Sequence, residues 1–195
     1  VVSPTRDVSM VHCAGVLADS LLVNQSQAGL QRVWGSKAKP AWALQARRST
    51  NGCTFFSSVA ALLGGPGQAN YAAANACLDT LAQLRSDMGL PATSIQWGAW
   101  AGAGMAVDSG AAHSMDQQGM GLITQEAGLL ALGLVTVQCH QPVVAMVPLQ
   151  WPKLAAMMAG SKIPALLEQL AVPHLRHHTV SSASRTDLVV VARNP

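Results

Sequence analysis

The chain is short of charge, of aromatic rings and of ordered cysteine patterns, and each shortage excludes a class of protein. Charged residues make up 11% of 195 positions, 12 basic and 9 acidic, with no basic block. No nucleic-acid or anionic-membrane surface is therefore implied, and the formal charge of +3 identifies no partner. No window is apolar for long enough to span a bilayer. The opening "VVSPTRDVSM" lacks the apolar run of a signal peptide. Cys13, Cys53, Cys77 and Cys139 lie 40, 24 and 62 residues apart, which fits neither a zinc site nor a dense disulfide framework. They read as reduced thiols of a cytoplasmic protein. His174, His177 and His178 have no cysteine partners and sit in a polar stretch, so no metal is assigned to them. Only one tyrosine is present, Tyr71.

What is there is a core and an alternating pattern. Half of the residues are hydrophobic, enough for one well-packed domain. Short apolar runs alternate with helical periodicities, as in βαβ units around a parallel sheet. Met10 to His12 reads as a strand. Ser26 caps a helix on which Leu30, Val33, Trp34, Lys37, Ala41 and Leu44 form one face, and Pro40, with no N–H for the carbonyl of Ser36, predicts a break beside Lys37. "CTFF", Cys53 to Phe56, is the next strand; a glycine-rich loop from Gly64 to Gly67 leads into a helix over about Ala69 to Ser86. "ATSIQW" follows the Gly89-Leu90-Pro91 stop, Thr124 caps a helix to about Val137, and Pro142 to Val147 is a further strand. The glycine-rich stretch Ala101 to Gly121 reads as a mobile loop over a ligand site, and 172–195 as linker or poorly packed tail.

The chemistry collects around the lone tyrosine. Tyr71 and Asn75 are four apart, hence on one helix face. Ser58 ends a strand, where open α/β sheets place their sites. A phenol with an ordinary pKa near ~10 exchanges protons poorly at neutral pH unless a cation stabilises the phenolate, and Lys37 is placed to be that cation. A serine hydroxyl beside such a phenol suits hydrogen-bonding a carbonyl oxygen and protonating it as hydride arrives at carbon.

"FSSVAALLGGPGQANYAAANACLDTLAQLRSDMGLPATSIQWGAWAGAGMA" resembles the catalytic half of ketoreductase domains from modular type I polyketide synthases, within the short-chain dehydrogenase/reductase superfamily, and less closely those of animal-type fatty acid synthase. "VHCAGVLADSLL" and "VWGSKAKPAWAL" are similar to two further motifs of that family, in the right order. The similarity is close over about Met10 to Met105 and loose to about Leu170, giving a partial ketoreductase domain over 1–171. It implies a Rossmann-like parallel sheet with flanking helices. It also implies catalytic roles for Ser58, which would bind the ketone, Tyr71, which would donate the proton, and Lys37 and Asn75, which would complete the relay. Ala14 and Gly15 would line the NADPH side. The substrate would be a β-ketoacyl thioester on the phosphopantetheine arm of an acyl carrier protein, beside neighbouring synthase domains.

The chain departs from the family in three places. Pro40 stands where a glycine is usual. The aspartate-rich motif reads Leu17-Ala18-Asp19, one aspartate of two; with Leu63 rather than tryptophan eight residues before Tyr71, Asp19 resembles the subclass that forms the D-configured hydroxyl. No G-x-G-x-x-G occurs, so the phosphate-binding turn and first strands are expected upstream of Val1. Two readings stay open: an NADPH-dependent ketoreductase, and a non-catalytic structural or interaction fragment of a megasynthase.

Overall fold

The computed structural model describes residues 8–45, 50–102, 105, 111–117, 119–138, 141–157 and 187–192. Its elements run β1 (Val8–His12), a 3-10 turn (Leu22–Asn24), α1 (Gln27–Ser36), α2 (Ala38–Gln45), β2 (Thr50–Ser58), α3 (Ala60–Leu63), α4 (Ala69–Asp87), β3 (Ala92–Trp97), α5 (Ala111–Gln117), α6 (Gln125–Gln138), β4 (Val143–Leu149), α7 (Trp151–Met157) and β5 (Asp187–Ala192). The strands lie in the order β1-β2-β3-β4-β5, and the first four pair in parallel. Phe56 is in register with Ile95, and Ser58 with Trp97. The chain divides into two compact units, Val1–Trp97 with Leu129–Met146 and Val190–Pro195, and Gly98–Gly128 with Val147–Val189.

The first unit carries the motifs. Cys53 and Phe55 alternate along β2 onto one face, where they meet Ala41 of α2 and Leu78, Leu81 and Ala82 of α4, with Met10 and Ala92 at the margin. Burying a large aliphatic side chain contributes roughly 1.5–3 kcal/mol, so this cluster fixes α4 against β2. The break beside Lys37 is present: α1 ends at Ser36, α2 starts at Ala38, and Lys37 joins them with φ −107° and ψ −68°. Pro40 explains it, since it leaves the Ser36 carbonyl without its helical donor. Ser26 caps α1 by accepting from Gly29 N at 3.0 Å. After α4, Leu90 N donates to Arg85 O at 2.8 Å and Gly89 takes φ +70°, a turn that disfavours other residues.

Three expectations are corrected. Leu30 does not face the sheet; it is exposed, because the buried face of α1 narrows to Val33. The stretch expected to be a loop, Ala101 to Gly121, holds α5, whose Asp116 accepts from Gln150 Nε2 at 2.9 Å and Lys153 Nζ at 3.3 Å within the second unit. The tail expected to be linker contains β5 at the sheet edge. Its Asp187-Leu-Val-Val-Val-Ala run is β-prone but short, and strand pairing rather than local periodicity reveals it. The tail histidines and Cys139 lie outside the described residues. Among the described residues no helix is long and apolar enough to cross a membrane.

Candidate active site

The carboxyl ends of β1 and β2, the α1–α2 break and the first turns of α4 bring the expected polar residues together in the first unit. Tyr71 is 7% exposed, Lys37 2% and Asn75 fully buried. Tyr71 and Asn75 share one face of α4, and the Asn75 side chain donates from Nδ2 to the Tyr71 carbonyl at 2.8 Å. Its Oδ1 is buried with no protein partner. A buried acceptor left in this way favours an outside donor. Ser58 ends β2; its Oγ accepts from Ala60 N at 3.2 Å, which leaves the hydroxyl proton to donate elsewhere.

Burial pushes the Tyr71 phenol above its ordinary range; the Asn75 and Ser58 side chains pull it back and Asp19 adds a smaller upward push. The phenol therefore keeps its proton at neutral pH. The expected cation is at hand: the Lys37 ammonium stands 5.5 Å from the centroid of the Tyr71 ring and donates to the Phe56 carbonyl at 2.8 Å, while burial sets the net direction of the phenol's shift. Desolvation brings Lys37 itself down from 10.5 to about 8, against upward pulls from Asp79 and Cys13. Such a lysine is still mostly charged at neutral pH and reaches half charge near 8.

Several residues here were not singled out from the sequence. His12, buried at the end of β1, has Nε2 2.9 Å from the Lys37 carbonyl, and desolvation lowers its pKa. Asn70 accepts from Tyr71 N at 2.7 Å and donates to Ala18 O at 2.7 Å, tying the start of α4 to the loop after β1. Asp79 continues the Tyr71–Asn75 stripe by one more turn, the one signal that could have found it. Asp19 accepts from Gln68 Nε2 at 3.0 Å, and Ser20 N donates to Gly67 O at 2.9 Å, so the Leu17-Ala18-Asp19 loop is held against the entry to α4. Leu63 ends α3 and is exposed.

Ala14 is exposed and Gly15 half-buried beside Lys37, where a Cβ on Gly15 would stand 2.8 Å from Lys37 Cε. This open strand end, with the unpartnered Asn75 Oδ1, fits the nicotinamide end of a dinucleotide. Among the described residues there is no G-x-G-x-x-G stretch of the kind that cradles a pyrophosphate in this fold.

A parallel sheet with a serine at a strand end, and a Tyr-x-x-x-Asn helix beside a buried lysine, define an α/β fold of Rossmann type. The KR domain family matches residues 7–102, and the chain belongs to it, as part of a ketoreductase domain of the polyketide synthase kind. It is 39% identical over 165 residues to polyketide synthase GfsA of Streptomyces halstedii, covering 83% of this chain and 2% of that one. The structure of A-type ketoreductases from a modular polyketide synthase superposes with a TM-score of 0.76 at 32% identity, covering 86% of this chain and 36% of that one. For the first ketoreductase of the tylosin polyketide synthase the values are 0.74, 31%, 87% and 38%. The chain thus spans little more than a third of these solved ketoreductases.

Proposed function

We propose that the chain supplies the catalytic half of an NADPH-dependent ketoreductase that reduces a β-ketoacyl thioester to the β-hydroxyacyl thioester in polyketide biosynthesis. The observation that carries this reading is the convergence of Ser58, Tyr71, Asn75 and Lys37 at one strand end, with a protonated phenol held between Ser58 and Asn75. When bound, the nicotinamide supplies the hydride. Ser58 Oγ donates to the ketone oxygen and fixes it beside Tyr71. Tyr71 gives its proton to that oxygen as negative charge develops there, which completes the alcohol. Asn75 returns a proton towards the phenol through a donor held at its Oδ1. Lys37, in its charged form, offsets the charge left on Tyr71. Ala14 and Gly15 would flank the nicotinamide. The substrate arrives on the arm of an acyl carrier protein, next to other synthase domains. The Asp19–Gln68 bond and Leu63 would orient the arm so that the D-configured product forms.

A second reading is a structural or interaction fragment of a megasynthase without turnover. One experiment separates the two: joining the chain to an upstream nucleotide-binding half and following NADPH oxidation with a β-ketoacyl thioester. Hydroxyacyl product lost on replacing Tyr71 supports the enzyme; a folded, NADPH-binding protein without turnover supports the fragment.

A further inference from the structure

The stripe that begins with Tyr71 and Asn75 on α4 continues to Asp79, which the proposed chemistry does not use. Both oxygens of its carboxylate are held. Ser94 Oγ donates to Oδ1 at 2.6 Å and Gln96 Nε2 to Oδ2 at 2.7 Å, and both donors are buried on β3. Ser94 and Gln96 flank Ile95, the register partner of Phe56 on the adjacent strand. The Phe56 carbonyl is where the Lys37 ammonium ends. Neighbouring strands lie roughly 4.8 Å apart, so the clamp on Asp79 and the anchor of Lys37 are adjacent positions of one sheet.

We propose that Asp79 is a positioning residue: a carboxylate clamped by Ser94 and Gln96 that supplies the counter-charge to the buried Lys37 ammonium beside Tyr71. A buried ammonium carries a large desolvation cost, and a carbonyl oxygen repays only part of it. The remaining titratable groups facing Lys37 do not take this place. His12, at the end of β1, meets its carbonyl and opposes its charge; Cys13 follows in the loop and is exposed; Tyr71 on α4 stays protonated. Asp79 pulls the ammonium towards its charged form more strongly than Cys13 does. The Ser94 and Gln96 donors fix the place of the carboxylate over β3.

The importance of this for turnover rests on the ketoreductase reading; the electrostatic relation does not, and it is tested without cofactor or substrate. The chain has four lysines, Lys37, Lys39, Lys153 and Lys162. With isotopically labelled lysine, the one that titrates near 8 is followed by NMR and assigned through Lys37→Met. Asp79→Asn preserves the shape, because Asn Oδ1 accepts from Gln96 and its amide donates to Ser94 Oγ. It should lower the Lys37 midpoint by roughly one unit. Asp79→Ser, smaller and also neutral, should do the same, and Asp79→Glu should restore part of the shift. A midpoint in the neutral variants indistinguishable from that of the parent chain overturns the proposal. A purely structural role for Asp79 would alter melting without the Glu variant recovering the midpoint, and that result also counts against it. If the reductase reading fails while the midpoint moves as stated, the counter-charge stands and only its use in catalysis falls.

Discussion

The Lys37 ammonium lies 5.5 Å from the centre of the Tyr71 ring and within 2.8 Å of the Phe56 carbonyl, inside a region from which water is largely excluded. Two titratable groups are thus held apart in preference by burial: the phenol keeps its proton and the ammonium gives its own up more easily than in water.

That relationship has a consequence for stability against pH. The folded chain binds the Lys37 proton less tightly than the unfolded chain does, so between about 8 and 10.5 the unfolded chain carries more protons and the Lys37 contribution to stability rises with pH. The full effect is at most about 3 kcal/mol. Tyr71 acts with the opposite sign above its ordinary value of 10.0, and His12 adds stability that is lost as pH falls below 6.5. Melting curves at pH 7.5 and 9 should show the parent gaining on Lys37→Met. Parallel curves would refute the shift.

Tyr71→Phe tests the proton donor. With an upstream nucleotide-binding half in place, ketone reduction should fall to near background while NADPH affinity stays close to that of the parent, since the ring still packs and only the hydroxyl is gone. A variant keeping more than about a tenth of the rate, a barrier change under ~1.4 kcal/mol, excludes this role.

Gly15→Ala tests the close approach that holds Lys37. The added methyl would stand 2.8 Å from Lys37 Cε and 3.2 Å from its Nζ, so the lysine must shift. Because the moving part is the end of a flexible side chain, little stability should be lost. The rate should drop roughly tenfold to a hundredfold, the scale of a misplaced catalytic group. Unchanged kcat together with an unchanged Lys37 titration midpoint would show that the contact has no role.

Much of this site was legible in the sequence because its information is local. The four-residue step from Tyr71 to Asn75 and the position of Ser58 at a strand end survive any reasonable placement of the elements. Pro40 announced the break at Lys37 through a missing N–H. The parts that escaped depend on distant pairings. His12 matters because the Lys37 carbonyl, 25 residues on, comes within 2.9 Å; Asp79 matters because β3 places Ser94 and Gln96 under α4. β5 is recognised by its place beside β4, and the exposure of Leu30 follows from how little of α1 the sheet covers.

The last prediction concerns the hand of the product. The loop carrying Leu17, Ala18 and Asp19 is not free: Asn70 holds Ala18 O, Gln68 holds Asp19, Ser20 meets Gly67 O, and Arg32 Nη2 donates to Leu17 O at 2.7 Å. Gly67 permits the turn, since its φ of +71° is strained for a residue with a side chain. A loop fixed at so many points presents one rim to an incoming acyl arm, and the face of the ketone that meets the hydride follows from the side on which the arm enters. The intact ketoreductase should give a predominantly D-configured β-hydroxyacyl product. Asp19→Ala, which removes the Gln68 bond and only the small upward push on the Tyr71 phenol, should lower the enantiomeric excess more than the rate. Chiral chromatography of the reduced thioester reads both. A predominantly L product from the parent would exclude the assignment of Asp19 and Leu63 as its determinants, and an unchanged excess in Asp19→Ala would exclude Asp19 alone.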